Sequence, residues 1–125
     1  MPRLMLKTNT YINREKKYRM MVEFKEAIEL IPFERGDLLM ADFDDEAFML
    51  FGDQAGAPCA SIEVAVIDEV FKACDRKIFE QVLVKMTETV MKYTRIPEDR
   101  IFARFTGSYL WTYTGVDILG NLLQL

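Results

Sequence analysis

The residue with the most unusual chemistry in this sequence is Pro2. Proline in second place permits removal of Met1, and the mature chain would then begin with a secondary amine, a group that can hold and release a proton. An α-amino group titrates near 7.7 to 8.0 in model peptides. Burial and neighbouring cations push such an amine toward its neutral form, and a neutral amine suits proton abstraction next to a carbonyl. Proline at this position is also common without any such role, so the residues around it have to give it meaning. Cations that could hold an anionic substrate are Arg3, Arg35 and Arg104. Arginine presents two parallel N–H groups that match a carboxylate. For Arg104, an ion pair with Asp42 or with a neighbouring subunit remains an equal reading.

Several other chemistries are excluded. There is no histidine, which removes Ser-His-Asp and Cys-His nucleophiles and the commonest transition-metal ligand. Cys59 and Cys74 are too far apart for a CxxC motif and too few for a four-thiolate zinc set, so no metal is expected. The six glycines form neither a GxGxxG nor a P-loop pattern, so no nucleotide cofactor is expected either. Sixteen basic against twenty acidic residues give a net charge of -4, which argues against a surface that tracks nucleic-acid phosphates. The longest uncharged run, 105–116, is well short of the roughly 20 residues a membrane-spanning helix needs. The amino terminus lacks the continuous apolar core of a secretory signal, and a cytoplasmic location is expected, with leaderless secretion left open.

The 125 residues, half of them hydrophobic, suit a single α/β (α+β) domain over 1–125. Residues 3–8 alternate as a strand does. Asn13 can cap a helix carrying Met20, Met21, Phe24, Ala27, Ile28 and Ile31 at helical spacing, stopped by Pro32. A strand over 38–43 follows Gly36, and a short one over 48–51 could precede the turn residues Gly52, Asp53 and Gly56. The order then repeats. Residues 61–67 form a β-branched strand, and Asp75 caps a helix marked by Ile78, Phe79, Val82, Leu83, Met86 and Val90, ended at Ile96-Pro97. Residues 37–43 overlay residues 99–105, which points to an internal duplication. Two βαβ units predict a four-stranded mixed sheet with both helices on one face. The other face, with Met40, Phe43, Phe102 and Phe105 as candidates, then needs a cover, and a closed homo-oligomer would supply one. The competing reading puts some of these aromatics in the helix-facing core.

Pro2-Arg3-Leu4-Met5-Leu6-Lys7-Thr8-Asn9, Phe51-Gly52 followed by Pro58-Cys59-Ala60-Ser61, and Ile96-Pro97-Glu98-Asp99-Arg100-Ile101 with Trp111 ten residues on together resemble the macrophage migration inhibitory factor family and its bacterial members. The resemblance runs from Pro2 to about Val116 and leaves 117–125 as a carboxy-terminal extension. It implies the tautomerase fold, a homotrimer with sites at subunit boundaries, and no cofactor. The implied activity is keto-enol tautomerisation of small 2-oxo acids such as phenylpyruvate, with Pro2 as the base. The family's backbone N–H donor falls on Ile67. Its lysine after the first helix is replaced by Glu34, with Arg35 beside it, so either Arg35 serves as the cation or the pocket differs. Its pocket tyrosine and asparagine correspond to Phe102 and Arg104, and Trp111 falls on an aromatic of the pocket rim, with Tyr109 nearby as a further apolar wall.

Asp37 sits where other members of the superfamily carry an acid used to hydrate or decarboxylate oxo acids, but its repeat mate Asp99 favours a turn-capping role. Ile62 stands where a thiol-disulfide role would need a second cysteine after Cys59. Two departures, Glu34 and Phe102, keep a second reading in play, an interaction protein of cytokine-like kind that retains the fold without efficient chemistry.

Overall fold

The computed structural model describes residues 1–54 and 56–118. Of the carboxy-terminal extension expected over 117–125, residues 119–125 lie outside the described residues. The elements run β1 (Arg3–Thr8), α1 (Arg14–Ile28), β2 (Met40–Asp44), β3 (Ala60–Ile67), α2 (Asp68–Ala73), α3 (Arg76–Thr94), β4 (Ile101–Ser108), β5 (Thr112–Tyr113) and β6 (Val116–Asp117). One four-stranded sheet has the order β2-β1-β3-β4. β1 pairs with β2 in parallel and β3 with β4 in parallel, and the two units meet along an antiparallel β1–β3 seam. The mixed sheet expected from the duplication is therefore present. β5 and β6 form a separate two-stranded hairpin.

The duplication extends to detail. Asn13 accepts a hydrogen bond from the Lys16 N–H at 2.8 Å and Asp75 one from the Lys77 N–H at 3.0 Å, so each long helix begins on a side-chain cap. Before β2 and before β4 the chain makes one turn of 3₁₀ helix, Gly36–Leu38 and Glu98–Arg100. Asp37 and Asp99 both lie in these turns, but neither turn has a side-chain cap, and the Asp37 carboxylate accepts from the Arg35 guanidinium instead of capping.

Alternation sorts the sheet into two faces. Leu4, Leu6, Ile62, Val64 and Val66 are fully buried under the helices, where Met20, Phe24, Ile28, Val82, Met86 and Val90 meet them. The register aligns Arg3 with Met40 and Ala65, Met5 with Asp42 and Glu63, and Glu63 with Arg104, and these residues share the open face. Met40 and Phe102 are exposed there, as expected. Phe43 and Phe105 are not, because each lies an odd number of residues from its exposed mate and a strand turns alternate side chains to opposite faces. Phe43 stacks on Phe24 at 6.1 Å and Phe105 packs on Phe79 at 4.8 Å, both on the helix side.

Two local features depart from expectation. Residues 48–51 form no strand, only an isolated bridge between Phe51 and Gln54. The loop is fastened instead by Arg100, whose guanidinium donates to the carbonyls of Pro58 and Ala57 and to Gln54 Oε1 and lies 4.8 Å from the Phe51 ring. The second departure is α2, a short helix inserted between β3 and α3. Asp68 and Glu69 sit in its first turn, where the helix dipole favours acids.

Candidate functional site

Pro2 is buried at the start of β1, where a residue without an N–H is least costly to the ladder. Its carbonyl accepts from the Met40 N–H at 3.2 Å, which fixes it at the edge where β1 enters the sheet. Arg3 is level with Ala65, so the seam continued outward brings the amino terminus to the end of β3, where Val66 and Ile67 lie. Ile67 is buried and is the N-cap residue of α2. β4 reaches this same end of the sheet with Gly107 and Ser108, paired to Val66 and Ile67.

Glu34 closes the site from above. The turn after α1 holds Phe33 at φ 73°, a left-handed conformation that a bulky aromatic rarely adopts. The next residue, Glu34, then points inward with its side chain 1% exposed, and its Oε2 lies 2.6 Å from the amino-terminal nitrogen of Met1. Burial pushes the Glu34 carboxyl above its ordinary value, and the amine draws it part of the way back. The same carboxylate faces Cys74 at the junction of α2 and α3, whose thiol is pushed up first by burial and then by Glu34. Beside Cys74 runs an apolar groove of about 340 Å³, walled by Phe71, Phe79, Leu83 and Phe105. Sequence reasoning missed this groove. A signal for it was the acidic pair Asp68-Glu69 directly after β3, which sits in the first turn of α2.

The candidate cations are all engaged elsewhere. Arg35 forms a two-pronged pair with Asp37, at 3.1 and 2.7 Å, on the surface rather than toward the amine. Arg3 pairs with Asp42. Arg104 pairs with Glu63, its direct cross-strand neighbour, at 2.9 Å, so of the alternatives open for it the pair with Asp42 does not form within the chain. Phe102 is exposed and packs on Phe51 at 5.3 Å. It is level with Ser61 and through it with Lys7, at the far end of the sheet from Pro2. Five residues of strand separate the two levels, about 17 Å. Phe102 therefore does not meet Pro2 within one chain, and Arg104, three levels from Pro2 and two strands away, does not either. Trp111 is half-buried, its carbonyl accepting from the Ile118 N–H at 3.0 Å, and Tyr109 is exposed. Within a chain the structure thus gathers Pro2, Ile67 and Glu34 and leaves Arg35, Phe102 and Arg104 apart from them, while Trp111 follows the end of β4 that reaches the Pro2 side of the sheet. Among the described residues, no cluster of three or more Cys, Asp or Glu could hold a metal ion, and no helix is long and apolar enough to cross a membrane.

The architecture has close counterparts among solved structures. Macrophage migration inhibitory factor 2 of Leishmania major superposes with a TM-score of 0.83 at 17% identity, covering 94% of this chain and 97% of that one. The chain has the macrophage migration inhibitory factor fold. A homologue from Prochlorococcus marinus gives a TM-score of 0.76 at 18% identity, with 92% and 97% covered. Pt0534, in a structure described as inactivated by 2-oxo-3-pentynoate, gives 0.76 at 14% identity, with 94% and 98% covered. No protein-family model and no curated protein matches the sequence.

Proposed function

We propose that this protein is a tautomerase acting on small 2-oxo acids, phenylpyruvate-like in shape, with the amino-terminal proline as its general base. The observation that carries the reading is the placement of Pro2, buried at the start of β1 beside the end of β3, in a chain with this fold. Once Met1 is removed, the Pro2 nitrogen becomes a secondary amine among Ile67, Glu34 and the α2–α3 junction. The neutral amine takes the proton from the carbon next to the substrate ketone, the Ile67 N–H stabilises the developing enolate oxygen, and the amine returns the proton elsewhere. Positioned general bases of this kind contribute about 10² to 10⁴ in rate.

The separation of Phe102 and Arg104 from Pro2 fits a homotrimer in which these residues, with Trp111, complete a neighbouring chain's site rather than their own. Arg104 then grips the substrate carboxylate and Phe102 and Trp111 shelter its side chain. The open sheet face, lined by Met40, Met5 and Phe102, would be covered by the same assembly. The protein acts in the cytoplasm on this reading and uses no cofactor.

One observation favours a second reading. Arg35 is held by Asp37 and the family's lysine position carries Glu34, so neither position offers the chain's own site a free cation. An interaction protein with the fold and without efficient chemistry would tolerate that. Intact mass first shows whether Pro2 is the free terminus. Ketonisation of enol-phenylpyruvate is then followed by absorbance for wild type and Pro2→Ala. Wild-type turnover that falls at least about 100-fold in the variant supports the tautomerase. No turnover above buffer, or turnover that survives the substitution, removes it.

A further inference from the structure

We propose that the Glu34 carboxylate is the built-in counter-ion of the catalytic amine and sets the pH at which that amine becomes a base. This rests on the reading of Pro2 given above and reverses the electrostatics that a cation at the same place would give. Glu34 Oε2 is 2.6 Å from the Met1 nitrogen. The Met1 and Pro2 nitrogens are joined through three bonds, so the carboxylate lies no more than about 6 Å from the Pro2 nitrogen. When Met1 leaves, the ammonium it carried leaves too, and the nearest amine to a buried carboxylate is Pro2.

The surroundings leave that pairing uncontested. On α1, Glu29 is turned toward Gly36, whose added Cβ would meet its Oε1 at 2.4 Å. On the 3₁₀ turn, Arg35 and Asp37 satisfy each other. From the α2–α3 junction the Cys74 thiol faces Glu34, and that thiol is pushed up, which keeps it uncharged at neutral pH. Among the described residues, no arginine or lysine forms an ion pair with Glu34, whose charged partner is the amino-terminal nitrogen. The backbone also holds the carboxylate in place, since Phe33 sits at φ 73° and the Glu34 N–H donates to the Ile31 carbonyl at 3.1 Å. An opposite charge at such a distance favours the protonated amine by about 1 to 3 pKa units, opposing the lowering that burial alone gives. Glu34 touches no reacting atom in this scheme. It is a positioning residue that acts through the protonation of Pro2, and proton abstraction then switches on at higher pH than an amine beside a cation would allow.

The test is a titration of the amino-terminal nitrogen by NMR in full-length protein labelled with ¹⁵N-proline and ¹⁵N-methionine, for wild type, Glu34→Gln and Glu34→Lys. Glu34→Gln lowers the midpoint by at least about one unit and Glu34→Lys by more. The acid limb of kcat/KM for ketonisation moves down by the same amount. A midpoint unmoved in a natively folded Glu34→Gln overturns the proposal. Should the variants fail to fold, the wild-type Glu34 side-chain carbon, followed by ¹³C NMR, must show an inflection at the pH where the amine titrates, and its absence overturns the proposal as well. The titration needs no turnover, so the two failures separate. An inactive wild type with a Glu34-dependent amine ends the tautomerase and keeps the pair, and Pro2-dependent activity with an unmoved amine does the reverse. A retained Met1 ends the tautomerase reading, and the same titration on the Met1 nitrogen then decides the pair.

Discussion

Replacing Arg100 with Met should loosen the whole loop between β2 and β3. The side chain sits in the 3₁₀ turn before β4, almost fully buried, and each of its three guanidinium nitrogens has a different partner. Nε donates to the Pro58 carbonyl at 2.5 Å and one terminal nitrogen to the Ala57 carbonyl at 3.2 Å, while the other meets Gln54 Oε1. Methionine keeps the stem and removes every donor. Hydrogen bonds from a charged donor each contribute about 1.5 to 3 kcal/mol, but loop carbonyls at the surface regain water, so the three together should lose about 2 to 4 kcal/mol. The stacking of the guanidinium on Phe51 adds about 0.5 to 1 kcal/mol within that range. For a chain of this size a 3 kcal/mol loss lowers Tm by roughly 10 °C.

Urea unfolding at fixed protein concentration, followed by far-UV circular dichroism and by the fluorescence of Trp111, the single tryptophan, measures the difference. Arg100→Lys should recover little, since one ammonium cannot span three separated acceptors. A loss below about 1 kcal/mol for Arg100→Met would refute the clasp and show that the loop is held by other contacts. The consequence reaches Phe102, because Phe51 is the ring on which it packs.

Asp45 offers a pH-dependent test. Its carboxylate accepts from the Ile12 N–H at 2.9 Å and from Lys17 Nζ at 2.8 Å, and these hold it below its ordinary value of 3.8. A carboxyl lowered in the folded state contributes stability above its unfolded value that is lost as pH falls through the folded one. Asp45→Asn should therefore cost about 1 kcal/mol at pH 7, with the difference from wild type vanishing below the aspartate range in chemical unfolding at acid pH. Gly107→Ala should cost about 1 to 3 kcal/mol by thermal melting, because the added Cβ would lie 2.2 Å from Asp68 Oδ1 and 3.3 Å from Phe71 Cβ, forcing α2 off β4. Arg104→Ala should leave the melting temperature of the folded chain nearly unchanged, since its pair with Glu63 is largely exposed and such pairs contribute about 0 to 1 kcal/mol. Any larger loss of ketonisation activity in that variant then reports on substrate.

The sequence by itself determined the four strands of the main sheet, the two long helices, their caps and the duplicated order. These follow from local rules, namely the periodicity of apolar residues, the Asn13 and Asp75 caps and the stops at Pro32 and Pro97, which need no knowledge of distant neighbours. It also singled out Pro2, because that chemistry depends only on a residue type and its place in the chain. The tertiary structure decided where side chains find their partners. Whether Phe43 and Phe105 face helices or solvent depends on strand parity and on what lies opposite. The partner of Arg104 depends on the β3–β4 register, which sets Glu63 beside it and leaves Asp42 to Arg3. Most of all, the meeting of Glu34 with the amino terminus joins residues 33 positions apart through a strained turn at Phe33. No local pattern encodes such a contact, because burial and Coulomb forces act on distance in space and the fold alone sets that distance.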